Sequence, residues 1–103
     1  MGIYNEFYVF DENDIIPKDY YNIHNRAIGL FFSKNILDFK KEKWFSLTKT
    51  HFHNLIMRYE NKTLARSLLT SIEEPLLYPD QVEQLRELKR YVDNGYKVVY
   101  LQS

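Results

Sequence analysis

The sequence predicts a single α+β domain covering residues 1–103, with a small sheet of three to four strands packed against three helices. Three observations predict this class. The 103-residue chain is long enough for one hydrophobic core and too short for two. It is 45% hydrophobic and 17% aromatic, as expected of a folded globular protein. Strand-like alternation opens the chain, and an amphipathic helix followed by an apolar strand closes it.

The first predicted strand is IYNEFYVF, at residues 3–10. Because successive strand side chains point to opposite faces of a sheet, Phe7 and Val9 would be buried together on one face. The polar turn DEND at 11–14 ends the strand. It does not fit a calcium loop, since two isoleucines follow where a further ligand and the turn glycine belong.

The next stretch of the chain is less regular. Pro17 prevents a helix through that point, and Asp19 could cap a short helix after it. The compact apolar run AIGLFFS at 27–33 predicts a buried strand. Residues 36–40 form either a fourth strand or a short helical turn. Trp44 is costly to expose, so it anchors an edge of the core, which we favour, or an interface.

Three helices are predicted in the second half of the chain, at 47–60, 62–73 and 79–94. In the first helix, apolar residues recur at i, i+3, i+4 and i+7, with Ser46 or Thr48 as the cap. Asn61 would cap the second helix, and Pro75 would follow its end because proline disfavours helix in the residue before it.

The last quarter of the chain has the clearest boundaries. Pro79 fits the first helical turn, where its missing N–H needs no partner, and Gly95 stops the helix because glycine takes the left-handed conformation freely. The closing strand at 96–101 is apolar on nearly both faces, so it must be paired within a sheet, and a parallel pairing with 27–33 is permitted. The predicted core is Phe7, Val9, Ile28, Leu30, Phe32, Phe52, Leu55, Ile56, Leu64, Leu68, Leu85, Leu88, Val92, Val98 and Tyr100.

No catalytic residue, metal site or cofactor is predicted. The absence of cysteine excludes disulfides, thiolate zinc sites and cysteine nucleophiles. His51 and His53 would point about 200° apart on a helix, so they cannot clamp one metal ion together. The chain has no GxSxG elbow, and its three glycines assemble no phosphate-cradling loop. We therefore expect a protein that is not an enzyme.

The chain carries no pattern for a membrane or for secretion. No apolar run approaches the ~20 residues that a membrane span needs. The first residues lack the basic start and the apolar core of a signal peptide. We expect a cytoplasmic protein.

Charge is segregated along the chain although the formal net charge is zero. Residues 1–33 carry two basic and five acidic side chains, whereas residues 34–66 carry eight basic and three acidic ones. The segment 40–66 interleaves basic and aromatic residues, as a nucleic-acid-binding surface would. A sequence pI near 6.8 and the place of Phe52 on an apolar helical stripe argue against this alternative.

The stretch VEQLRELKRYVDNGYKVVYLQS resembles the closing helix–strand unit of barstar-type and other small bacterial toxin-neutralising immunity proteins. This likeness covers about the last fifth of the chain. The cysteine-free, tyrosine-rich single domain is also similar in character to immunity proteins of contact-dependent or polymorphic toxin systems. The resemblance implies a toxin domain as the partner, such as a nuclease, and occlusion of its active site as the mechanism.

The acidic start of the chain is the first surface to consider for such a partner, because nuclease active sites are often basic. Aromatic residues near it would supply the anchors that dominate protein interfaces. The candidate partner-binding residues are Glu6, Asp11, Glu12, Asp14, Asp19, Tyr20, Tyr21 and Trp44.

Overall fold

A computed structural model describes residues 4–13, 15–35, 44–68 and 77–102. The four strands described form one antiparallel sheet in the order β2-β1-β4-β3, and three helices accompany it. This arrangement confirms the predicted α+β class. In chain order the elements are β1 (Tyr4–Phe10), β2 (Asp19–His24), α1 (Arg26–Asn35), β3 (Phe45–Leu47), α2 (Lys49–Leu68), α3 (Pro79–Asp93) and β4 (Lys97–Gln102).

Strands β1 and β4, which lie near the two ends of the chain, are neighbours in the middle of the sheet. Their register pairs Phe7 with Tyr100 and Val9 with Val98. The prediction that the closing strand is paired within the sheet is therefore confirmed. Both of its neighbours run antiparallel to it, so the parallel pairing that the sequence permitted is not formed.

The helices pack against one face of the sheet. Phe7 is central to this packing, because its ring centroid lies 6.3 Å from that of Phe32 on α1, 6.1 Å from Phe52 on α2 and 5.2 Å from Tyr100 on β4. The buried apolar residues that join the two layers are Phe7, Val9, Ile23, Ala27, Ile28, Phe31, Phe32, Phe45, Leu47, Phe52, Leu55, Ile56, Leu77, Leu85, Leu88, Val98 and Tyr100.

The apolar run that predicted a strand at 27–33 forms helix α1 instead. A short apolar run fits a buried strand and a buried helix equally well, and here the carboxamide of Asn25 caps the start of a helix. Its Oδ1 accepts a 2.8 Å hydrogen bond from the backbone N–H of Ala27, as an N-cap side chain does. Because a helix repeats every 3.6 residues and a strand every two, Leu30 does not share the buried face of Ile28 and Phe32. It was predicted in the core, but it is 42% exposed.

Most other predicted core positions are confirmed. Val92 is only partly buried against the core. The side chains of Leu64 and Leu68 lie outside the described part of the chain, so those two predictions stay untested.

Strand β2 replaces the short helix that Asp19 was predicted to cap. Its register with β1 pairs Tyr8 with Tyr20 and Phe7 with Tyr21, and this long-range pairing prevails over the local capping preference. Strand β3 is also new, since residue 47 was predicted to begin a helix and residues 45 and 46 had no assigned element. The proposed element at 36–40 lies outside the described residues.

Helix α2 is continuous from Lys49 to Leu68, where two helices separated at Asn61 were predicted. Asparagine in a helix interior costs only a fraction of a kcal/mol, so Asn61 need not end a helix. The predicted cap is confirmed at Thr48, whose Oγ1 accepts a 3.4 Å hydrogen bond from the backbone N–H of His51. Residues 69–73 of the second predicted helix lie outside the described part.

Helix α3 matches its prediction most closely. It begins at Pro79, and Gly95 follows it with a φ of 88°, in the left-handed region. Gln81 fixes its start, because Oε1 accepts from the backbone N–H of Tyr78 at 3.1 Å and Nε2 donates to the carbonyl of His24 at 3.1 Å. None of the helices in the described ranges is long and apolar enough to cross a membrane.

Candidate functional site

The side of the sheet that faces away from the three described helices is here called the open face. It exists because alternate strand residues supply the core while the residues between them point outward. The outward residues are partly or fully exposed: Tyr4, Glu6, Tyr8 and Phe10 of β1, Tyr20, Asn22 and His24 of β2, Ser46 of β3, Lys97, Val99 and Leu101 of β4, and Trp44 beside β3.

A row of three aromatic side chains crosses the open face. Tyr8 stands between the other two, with ring centroids 5.0 Å from Tyr20 and 5.9 Å from Trp44. Tyr20 is 45% exposed and Trp44 is 54% exposed, so the row presents aromatic surface to solvent. Large aromatic side chains that are rigid and exposed are the residues most enriched at protein-binding hot spots.

A carboxylate lies within the aromatic row. The Tyr20 hydroxyl donates a 2.9 Å hydrogen bond to Oε1 of Glu6. Partial burial, and then the nearby Glu6 carboxylate, raise the pKa of both Tyr8 and Tyr20. Both hydroxyls therefore keep their protons well above physiological pH, and that of Tyr20 is engaged by Glu6.

A shallow cavity of about 420 Å³ lies at one end of the open face. Phe10, Trp44 and Val99 give it apolar walls, and its charged groups are Lys97 and the carboxylates of Asp11 and Glu12 from the β1–β2 turn. Among the described residues, the cavity lining and Glu6 carry three carboxylates and one ammonium, and Lys18 lies near enough to Asp11 to interact with its charge.

The structure brings together five of the eight predicted partner-binding residues. Glu6, Tyr20 and Trp44 lie on the open face, and Asp11 and Glu12 lie at its end. Trp44 lies on the open face rather than at an edge of the core, so the reading that we favoured for this residue is wrong.

Two predicted residues lie on the other side of β2. Asp19 accepts a 2.8 Å hydrogen bond at Oδ2 from the hydroxyl of Tyr91, and Tyr21 donates a 2.9 Å hydrogen bond to Oε2 of Glu87. Both therefore face α3 and not the open face. Asp14 lies outside the described residues.

Tyr8, Lys97 and Val99 belong to the open face but were not among the predicted residues. The alternation of β1 already indicated Tyr8, because it placed that side chain opposite the buried Phe7. Lys97 and Val99 could not be found in this way, since their place beside Tyr8 depends on the pairing of β4 with β1.

Among the described residues, no group of three or more His, Cys, Asp and Glu side chains could hold a metal ion.

Comparison with known proteins found no matching family model, no similar curated protein and no similar solved structure.

Proposed function

We propose that this protein is a protein-binding module that docks its partner on the open face of the sheet. The observation that supports this most directly is the exposed row of Tyr20, Tyr8 and Trp44. Monomeric proteins seldom leave contiguous apolar surface exposed without a use for it. A tyrosine or tryptophan anchor loses little conformational entropy on binding and removes a large area from water.

The charge around the row favours a particular kind of partner. Glu6 is hydrogen-bonded to Tyr20, and Asp11 and Glu12 line the cavity beside Trp44, whereas Lys97 is the only lysine or arginine among the outward residues described above. Complementary charge steers association and excludes partners of the wrong sign. The partner should therefore present an apolar patch with a basic rim.

Nucleic acid is the alternative that shares part of this chemistry. Aromatic residues on an open sheet can stack bases. Stacking proteins also need cations for the phosphate backbone, and the carboxylates of the open face oppose that contact. In the basic segment 40–66, Phe52 is wholly buried and cannot stack a base, whereas Trp44 is exposed and belongs to the open face. A protein partner is therefore the better match.

We propose an immunity-type role as the specific form of this function. A toxin domain with a basic active site, such as a nuclease, would present positive charge to the carboxylates of the open face. Binding there would cover the active site and block its substrate by steric and electrostatic exclusion. The likeness of the closing helix–strand unit to immunity proteins supports this form.

The first test is capture of a partner by the tagged full-length chain from the source cell's lysate, with and without nuclease. A Tyr20→Ser/Trp44→Ser variant should lose the captured protein, while Leu30→Ser, a similarly exposed residue on α1, should keep it. Equal capture by both variants would rule out the open face. Capture that nuclease abolishes would support the nucleic-acid alternative.

The immunity-type role needs a second measurement on the purified partner. Its activity should be inhibited when the protein is added at equal concentration, and the Tyr20→Ser/Trp44→Ser variant should not inhibit it. If the partner binds the open face and the activity of the partner is unchanged, the protein-binding proposal is supported and the inhibitor role is contradicted.

A further inference from the structure

A second cavity lies between β2 and the C-terminal end of α3, and it is here called the tyrosine cleft. It has a volume of about 400 Å³ and is lined by Tyr21, Glu87, Arg90, Tyr91, Asn94 and Tyr96. The tyrosine cleft is distinct from the open face, because Tyr21 alternates along β2 with the outward-pointing Tyr20 and Asn22.

Two aromatic walls of the cleft stand at right angles. The ring centroids of Tyr91 and Tyr96 are 5.3 Å apart and the ring planes make an angle of 85°. Tyr21 contributes a third ring to the lining. The face of a tyrosine ring carries negative electrostatic potential, so perpendicular rings can enclose a cation from two sides.

Carboxylates hold the rings of the cleft in place. The hydroxyl of Tyr21 donates to Glu87 and that of Tyr91 donates to Asp19, at 2.9 and 2.8 Å. Burial, and then the bond to Glu87, raise the pKa of Tyr21, while the bond to Asp19 is the main cause of the raised pKa of Tyr91. The cleft therefore has two carboxylates bonded to its rings and Arg90 in its lining, near the negative end of the α3 dipole.

One cation of the chain already contacts a ring of this cleft. The Nζ atom of Lys18 lies 4.6 Å from the centroid of the Tyr96 ring and donates a 3.0 Å hydrogen bond to its hydroxyl. Arg90 is the cation among the lining residues, and its Nη2 atom lies 3.6 Å from Oε1 of Glu83. The Tyr96 ring thus already takes part in a cation–π contact, and a ligand cation would bind beside Lys18 or displace it.

We infer that the tyrosine cleft binds an organic cation, an alkylammonium or guanidinium group, against the rings of Tyr91 and Tyr96 with Glu87 as counter-charge. Such a group could be a free quaternary ammonium compound or a lysine or arginine side chain of a bound protein. This inference does not depend on the proposed function. The cleft and the open face lie on opposite sides of strand β2.

The test is a titration of the full chain, followed by NMR, with choline and with its uncharged isostere 3,3-dimethylbutan-1-ol. Choline should shift the backbone amides of Asn94, Gly95 and Tyr96 and bind roughly 2- to 30-fold more tightly than the isostere, the range that cation–π strengths give. Equal affinities, or no shifts at these residues, would overturn the inference. N-acetylarginine amide and N-acetylcitrulline amide form a second pair that tests a side-chain source.

Matched variants identify the groups responsible. Tyr96→Phe keeps the ring and should keep choline binding, whereas Tyr96→Leu should lose it. Glu87→Gln keeps an acceptor for the Tyr21 hydroxyl but removes the charge, and should weaken choline binding several-fold even if Tyr96→Leu does not fold. Leu30→Ser should bind choline normally. Binding unchanged by Glu87→Gln would contradict the assignment, and neither result bears on partner docking at the open face.

Discussion

The hydroxyl of Tyr100 donates a 2.6 Å hydrogen bond to Oδ1 of Asn5, and both residues are wholly buried. The Asn5 amide donates in turn to the carbonyl oxygens of Ile23 and Asn25, at 2.9 and 3.0 Å. Gln102 Nε2 donates to the Tyr100 hydroxyl at 2.9 Å. This buried polar network ties the two central strands of the sheet to the end of β2.

Removing the Tyr100 hydroxyl should therefore be costly. Tyr100→Phe leaves Oδ1 of Asn5 without this donor in the core and should lower the free energy of unfolding by about 1–3 kcal/mol. Tyr20→Phe removes the same group from the exposed bond to Glu6 and should change stability by less than about 0.5 kcal/mol. Urea unfolding of both variants checks this, and equal losses would contradict the role assigned to the network.

Alkaline pH should weaken the fold through the same residue. Burial raises the pKa of Tyr100 above its ordinary value of about 10, so the folded state keeps a proton that the unfolded state releases. This contribution is fully present below pH ~10 and declines above it, by at most ~1.4 kcal/mol per pH unit. Unfolding free energies between about pH 10 and 12 should fall more steeply for the wild type than for Tyr100→Phe. Parallel curves would contradict the expectation.

Trp44→Ser should separate binding from folding. Because the indole is 54% exposed, its loss should change the free energy of unfolding by less than about 1 kcal/mol. If Trp44 is an interface anchor, partner affinity should fall by about 30-fold, equivalent to ~2 kcal/mol. Calorimetric titration with the captured partner measures the affinity, and Leu30→Ser serves as the control. An unchanged affinity would remove Trp44 from the interface.

Neutralising the acidic turn should affect the rate of association. Asp11→Asn/Glu12→Gln removes two negative charges at the end of the open face and should slow association with a basic-rimmed partner by about threefold or more at low salt. The salt dependence of the rate should weaken at the same time. Asp80→Asn/Glu83→Gln removes the same charge from α3 and should have a smaller effect. Stopped-flow measurements at several salt concentrations give these association rates. Equal slowing by the two double variants would contradict a role for the turn in association.

Gly95 should be needed for its backbone conformation alone. Its φ is 88°, and an added Cβ would meet nothing within 4 Å. Gly95→Ala should therefore cost about 1–2 kcal/mol through backbone strain, without a clash. Gly95→Asn should cost less, because asparagine tolerates the left-handed region better than alanine. Thermal unfolding of the two variants compares these costs. If Gly95→Ala is as stable as the wild type, the turn adopts another backbone conformation without cost.

Elements with a local conformational signal were predicted correctly, and an element marked only by an apolar run was not. Three features were predicted correctly: the turn at Asn94–Gly95, the start of α3 at Pro79 and the inward face of β1. Each depends on local conformational preferences or on simple alternation. The run at 27–33 was predicted as a strand, since a short apolar segment has no periodicity that separates strand from buried helix.

The candidate site shows the same division. Local chemistry indicated Tyr20 and the acidic turn at Asp11 and Glu12 as surface groups. It did not indicate that Tyr21 faces α3, because the orientation of each β2 side chain depends on the register of that strand with β1.

By itself, the sequence determined the fold class, the boundaries of the closing helix and most of the apolar core, since these follow from composition, period and the φ preferences of glycine and proline. Only the tertiary structure decided that β4 lies beside β1 and that Tyr20, Tyr8 and Trp44 form one row. Contacts between residues far apart in the chain depend on strand pairing and on burial of the whole sheet, and no local pattern encodes either of these.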